Sequence, residues 1–105
     1  MARLRVEVTE APPPARIALH GEFDIESADA ATLALHELLA RRPDAVVLDL
    51  SGLDFMDSTG VRFLVDARDR ARELGVKLSL VPGRDPVRRV LTVSGVTALF
   101  ESDGS

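Results

Sequence analysis

Apolar and polar residues alternate at the start of the chain. Leu4, Val6 and Val8 are separated by Arg5 and Glu7, the period of two that marks a strand with one buried face. The APPPA stretch at 11–15 cannot extend it, because three prolines lack the N–H that a ladder needs. RIALHGEF at 16–23 restores a strand that ends near Gly21, and the two strands read as a hairpin at one sheet edge. The period then lengthens. Between Ile25 and Arg42, residues Ala28, Ala31, Leu35, Leu38 and Leu39 share one helical face, with Asp24 or Ser27 as cap and Pro43 as stop. AVVLDL at 45–50 is a short β-branched run with one charge, the composition of a strand covered on both faces.

A second helix is expected from about Thr59 to Leu74, with Val61, Leu64, Val65, the stem of Arg68, Ala71 and Leu74 turned inward. Gly75 suits its C-terminal end. VKLSLV at 76–81 follows as a strand, so residues 45–81 form a strand, helix, strand unit of parallel-crossover length. Asp85 and Pro86 read as a cap and first-turn pair. Val87, Val90 and Leu91 form a short apolar stripe that Gly95 closes. VTALF at 96–100 reads as a last strand or a short packing segment, and ESDGS from 101 as a polar tail. The order β-β-α-β-α-β-α, with an optional final strand, predicts an α/β fold with one mixed sheet. No repeat, linker or second domain interrupts it, so 1–105 is expected to be a single domain.

Composition narrows the function. A chain of 105 residues with 46% hydrophobic and 29% charged residues can bury one modest core. Its net charge of -4 argues against general nucleic-acid binding, which selects for concentrated positive charge. Arg62, Arg68, Arg70 and Arg72 are interleaved with Asp66, Asp69 and Glu73, the pattern of a solvated helix face. The absence of cysteine excludes disulfides and thiolate metal sites. MARLRVEVTE lacks the apolar core of a leader, and no stretch approaches the ~20 apolar residues of a membrane span. A cytoplasmic address without direct membrane insertion is the expectation. With no tryptophan or tyrosine and four phenylalanines, stacking platforms for bases or sugars are scarce.

The chemistry centres on DLSGLDFMDSTG at 49–60, read as the connection between AVVLDL and the second helix. In open α/β sheets, sites gather off the carboxyl ends of parallel strands. Ser58 stands there. Serine before a helix is first of all an N-cap, but Asp57 competes for that role. Gly60 in the first turn weakens the helix unless it admits another backbone or keeps space open over the serine. Of the two bulky residues, Phe55 is expected to fold back into the core, while Met56, beside two aspartates, is harder to explain that way.

A nucleophilic Ser58 would need a base and oxyanion donors. Only His20 and His36 are available, neither at a diagnostic spacing, and the G-x-S-x-G elbow is absent. Asp49, Asp54 and Asp57 have the oxygen chemistry of a magnesium or phosphoaspartate site. The only lysine, Lys77, lies on a different strand and cannot complete a phosphate pocket. Asp-Ser-Thr-Gly has one residue too many for an aspartic-protease triplet and no second copy supplies the paired carboxylate. No phosphate-cradling glycine loop occurs. No catalytic residue, metal site or cofactor is therefore expected. A protein acted upon remains: an exposed hydroxyl at a helix N-terminus is a good kinase acceptor, since phosphate there faces backbone N–H groups and the positive end of the dipole.

VVLDLSGLDFMDSTGVRFLVDARDRARELGVKLSLV resembles the central segment of anti-sigma factor antagonists, short bacterial members of the STAS domain family. GEFD at 21–24 resembles the family's upstream signature, and VRRVLTVSGVTALF its closing helix and final segment. The resemblance implies a four- or five-stranded sheet with helices packed mainly on one face. It also implies a partner switch. The unmodified protein binds an anti-sigma factor, itself an ATP-dependent serine kinase, and frees a sigma factor. Phosphorylation of Ser58 abolishes binding, and a metal-dependent phosphatase resets Ser58. Met56, Asp57, Thr59 and Gly60 would shape the acceptor turn and meet the partner, with Asp24 beside it. Related STAS domains act instead as scaffolds in stress-sensing complexes or as subunits of membrane lipid or anion transport systems.

Overall fold

The computed structural model describes residues 3–103. Strand β1 (Arg5–Thr9) and strand β2 (Ala15–Phe23) form the expected antiparallel hairpin, with Arg5 opposite His20 and Thr9 opposite Arg16. Helix α1 (Ala28–Ala40) leads to strand β3 (Ala45–Met56), helix α2 (Ser58–Leu74) to strand β4 (Lys77–Val81), and helices α3 (Val87–Val93) and α4 (Val96–Asp103) close the fold. The sheet order is β1-β2-β3-β4, with β3 parallel to both neighbours. The mixed sheet thus has four strands.

All four helices belong to one layer. Ala15, Ile17 and Leu19 on β2 and Val46, Leu48 and Leu50 on β3 are buried beneath them, together with Ala31, Leu35, Leu38 and Leu39 of α1. Each such large side chain withdrawn from water contributes about 1.5–3 kcal/mol. The alternate positions Arg16, Ala18, His20, Val47, Asp49 and Ser51 face away from this core and are exposed or half-buried. AVVLDL is therefore covered on one face, not on both. Its neighbours β2 and β4 flank it edge to edge, which permits apolar residues on the open side without a second helical layer.

Several boundaries move. Residues 25–27 are a turn, so α1 starts at Ala28. Asp24 Oδ1 accepts from the N–H groups of Glu26 and Ser27, both at 3.1 Å. Ser27 holds the cap position without a side-chain cap bond. The α2 stripe also includes Phe63 and Ala67, while Val61, Val65 and Leu74 are only half-buried. Phe63 packs on Phe23 with ring centroids 5.1 Å apart. In α3 the cap position is Pro86, not Asp85, and no side chain caps it. VTALF is helical and buries Val96 and Phe100 against the core. The helix carries on through Asp103, so the polar tail is helical at 101–103, and its last two residues lie outside the described range. Gly75 and Gly95, at φ 72° and 85°, end α2 and α3 in the left-handed region as expected.

Candidate functional site

Strand β3 does not stop at Leu50. It runs to Met56, so SGLDFM is strand and the link to α2 shrinks to Asp57. Two irregularities in its pairing with β2 explain the disguise. Ala18 and His20 face Asp49 and Gly52, and Gly21 and Glu22 face Leu53 and Phe55. At each step β3 carries one residue more than β2, the definition of a bulge. The buried positions accordingly change from 46, 48, 50 to 53 and 56, a spacing of three that no regular strand shows. Phe23 comes to rest opposite Met56, and the Asp57 N–H donates to the Phe23 carbonyl at 3.3 Å. The carboxyl ends of β2 and β3 thus form one ledge, from which α2 starts.

The bulges reverse the two bulky side chains. Met56 is 2% exposed and belongs to the core, whereas Phe55 is 44% exposed. Met56 is therefore not the free surface residue that its neighbours implied, although its edge reaches a surface groove. Gly60 explains it. A Cβ on Gly60 would lie 2.4 Å from Met56 Cγ and 2.9 Å from its sulfur. The glycine makes room for the methionine side chain, not for another backbone or for the serine.

Asp57 is the N-cap of α2. Its extended backbone presents the carboxylate to the Thr59 N–H at 2.8 Å, and its carbonyl accepts from Gly60 N–H at 3.0 Å. Ser58, one residue inside, is released from capping. It is exposed, and its hydroxyl has no hydrogen-bond partner among the described residues. Thr59 is half-buried.

Two grooves meet at Ser58. The first is lined by Met56, Asp57, Ser58, Val61, Arg89, Val90, Val93 and Ser94, between the start of α2 and helix α3. Its character is apolar, and Val93 is 81% exposed. The second lies towards α1 and is lined by Ile25, Ala28, Asp29, Ser58, Thr59 and Arg62, with Ile25 77% exposed. Asp24 is in neither. Its carboxylate shapes the turn before α1 and lines a separate cleft with Arg3, Glu22, Glu26 and Ser27. Ile25, Arg62, Arg89, Val90 and Val93 are the site residues that the sequence reading passed over. In sequence Ile25 reads as the start of the first helix and Arg62 as part of a solvated face. Nothing local in sequence marks α3 as a neighbour of Ser58.

The remaining chemical candidates disperse. His36 lines a different cleft with Phe63 and Asp66. His20 lies on the open sheet face, its Nε2 2.5 Å from Glu7 Oε1 but out of hydrogen-bond alignment. Asp54 pairs with Arg84 at 3.0 Å. Asp49 accepts from the Ser51 hydroxyl and from Arg16, both at 2.6 Å. Partial burial pushes the Asp49 carboxyl up, but these bonds and the Arg16 charge outweigh it and hold the group below the usual carboxylate range. Among the described residues no group of three His, Asp or Glu is placed to hold a metal ion, and no helix is long and apolar enough to cross a membrane.

The STAS domain family model matches residues 5–103. The chain is 30% identical over 84 residues to the anti-sigma-F factor antagonist RsfB of Mycobacterium tuberculosis, covering 80% of this chain and 68% of that protein. Its fold superposes on an anti-sigma factor antagonist from Mycobacterium paratuberculosis with a TM-score of 0.85, at 24% identity over 93% of this chain and 83% of the other. The unphosphorylated form of the anti-sigma factor antagonist SpoIIAA gives a TM-score of 0.75, at 20% identity over 91% and 84% of the two chains. The chain belongs to the STAS domain family, and its relatives place it with the anti-sigma factor antagonists of that family.

Proposed function

We propose that the protein is a phosphorylation-controlled antagonist that binds an anti-sigma factor through the surface around Ser58. The observation that carries this reading is the Ser58 hydroxyl: exposed, free of hydrogen bonds among the described residues, and set on the rim of an apolar groove. A residue needed only for the turn would be capping it, and Asp57 does that instead. The partner is an anti-sigma factor that is also a serine kinase. In the transfer, Ser58 Oγ bonds to the γ-phosphorus of ATP as the bond to the bridging oxygen breaks. ADP leaves, and a base of the kinase takes the hydroxyl proton. A phosphatase hydrolyses the ester and restores Ser58. The chain itself performs no turnover.

Such a switch controls binding without unfolding the domain because the charges around Ser58 nearly balance within the chain and do not at an interface. Phosphate takes the net charge from -4 to about -6 at neutral pH. The start of α2 favours the new charge by roughly 0.3–1 kcal/mol, and the Asp57 carboxylate opposes it by a comparable amount. Asp54 matters less, because Arg84 already faces it. At an apolar interface the balance is lopsided: burying an uncompensated phosphate costs several kcal/mol, and each ~1.4 kcal/mol is tenfold in affinity.

Two measurements test the reading. Phosphorylation by the candidate kinase and ATP, mapped by mass spectrometry, should label Ser58 chiefly and Thr59 little; undiminished incorporation in Ser58→Ala sinks the assignment. Calorimetry against the anti-sigma factor should show Ser58→Ala binding like the wild type and Ser58→Asp losing affinity, with melting temperatures within a few degrees. Equal affinities for all three proteins would reduce Ser58 to part of the turn.

A further inference from the structure

Several arginines of this protein are already engaged. Arg16 pairs with Asp49, Arg84 with Asp54, Arg41 with Glu10, Arg68 with Asp69 and Arg5 with Glu7, while Arg88 donates to the Gly83 carbonyl. Among the described residues Arg3, Arg42 and Arg70 have no hydrogen-bond or ion-pair partner, and neither have Arg62 and Arg89. These two line the two grooves that meet at Ser58, one on each side. Both are exposed, so neither is held by packing. A guanidinium left unpaired beside a hydroxyl that carries phosphate in the proposed cycle is a receptor for that phosphate.

We infer that Arg89 and Arg62 bracket the phosphate on Ser58, and that the Arg89 pair closes the apolar groove. The inference rests on the proposal that Ser58 is the acceptor, and adds how the modified state is held. The two arginines are not equivalent. Arg62 stands four residues after Ser58 on α2, the spacing at which side chains on one helix face meet. Its groove also contains Asp29, an acidic competitor that weakens its hold on phosphate. Arg89 comes from α3, and among the described residues its groove has one other charged lining residue, Asp57, whose carboxylate is turned to the Thr59 N–H. Arg89 is therefore the stronger partner.

The consequence is steric as well as electrostatic. Met56, Val61, Val90 and Val93 line the groove between Ser58 and α3. A phosphate on one side, bound by a guanidinium from the other, spans those side chains. In the unmodified protein Arg89 is free and the groove is open to an apolar side chain of the partner. After modification the same arginine is drawn across it. Phosphorylation then removes the docking surface in addition to placing charge on it.

The test needs no kinase. Phosphoserine installed at position 58 during translation gives a homogeneous modified protein, whose phosphate is titrated by phosphorus NMR. Ion pairs with guanidinium groups favour the dianion, so its second pKa should fall below the ordinary value near 6. The expected displacement is a few tenths to about one unit, as for exposed charge pairs. Arg89→Gln should return most of it and Arg62→Gln a smaller part. Both positions are exposed, and circular dichroism confirms that the variants fold. Methyl resonances of Val90 and Val93 should move on modification in the wild type and stay put in Arg89→Gln. Titration of the phosphate at the same pKa in the wild type and both variants overturns the bracket. Unmoved methyl resonances in the modified wild type overturn the closure. A protein that shows the bracket yet is not labelled at Ser58 by its kinase would instead overturn the functional reading.

Discussion

The two halves of strand β3 follow different rules. From Ala45 to Leu50 the inward residues are 46, 48 and 50, and the partners on β2 and β4 advance in step. From Ser51 to Met56 two bulges push the inward positions to 53 and 56, beyond the last paired residue of β4. The regular half is scaffold. The irregular half builds the site, because each unpaired residue re-aims the side chains after it. The first bulge brings Gly52 opposite His20, whose ring passes so close that a Cβ there would lie 2.2 Å from Nδ1. The second turns Phe55 outward and Met56 inward. Order on the buried side of the turn and exposure on its outer side are two results of one distortion.

Substitutions on the buried side should therefore be costly, and those on the outer side nearly silent for stability. The largest effect belongs to Met56→Ala, which leaves a cavity under the start of α2 and should cost about 2–5 kcal/mol in urea unfolding. A loss no greater than that of an exposed residue would mean that Met56 is surface after all. Gly60→Ala comes next. Its Cβ meets Met56 Cγ at 2.4 Å, an overpacking cost of about 1–3 kcal/mol that exceeds the ~1 kcal/mol gained in helix propensity. Made in the Met56→Ala background, the same change should turn stabilising, because the obstacle is gone. Additive losses in the double variant would refute the contact.

Asp57→Ala removes the cap bond to Thr59 and should cost about 1 kcal/mol, measured by thermal unfolding. Ser58→Ala, one residue away, should stay within about 0.5 kcal/mol of the wild type while abolishing phosphorylation. Equal losses at 57 and 58 would erase the distinction between cap and acceptor.

The smallest effect tests the regular half. The folded Asp49 carboxyl lies below its ordinary value, so the folded state binds a proton less readily than the unfolded one. The stability it contributes is fully present above the unfolded pKa near 4 and is lost as pH falls through the lower folded value. Asp49→Asn should flatten the acid limb of the stability curve in that window by well under 1 kcal/mol, since Arg16 and solvent share the charge. An unchanged limb would mean that the Ser51 and Arg16 bonds contribute nothing.

Features with local causes were legible in the chain alone. The β1–β2 hairpin, the helical stripe of Ala31, Leu35, Leu38 and Leu39, the left-handed glycines at 75 and 95 and the crossover from Ala45 to Val81 come from period, propensity and backbone freedom. So does the placement of Ser58 where β3 hands over to α2. The buried face expected of β1 does not extend to Val8, which is 45% exposed at the sheet edge, while Val6 is half-buried. The phase of β3 past Leu50 needed the folded molecule. A bulge is set by which partner residues on β2 are matched, and nothing in SGLDFM announces that His20 will face Gly52 and Glu22 will face Phe55. Once the phase is reset, Phe55 and Met56 exchange roles and Gly60 acquires its reason. The same holds for the apolar groove. Val90, Val93 and Arg89 reach Ser58 only because α3 packs beside β3, and contacts between residues so far apart in the chain come from closing a common core, which local composition does not encode.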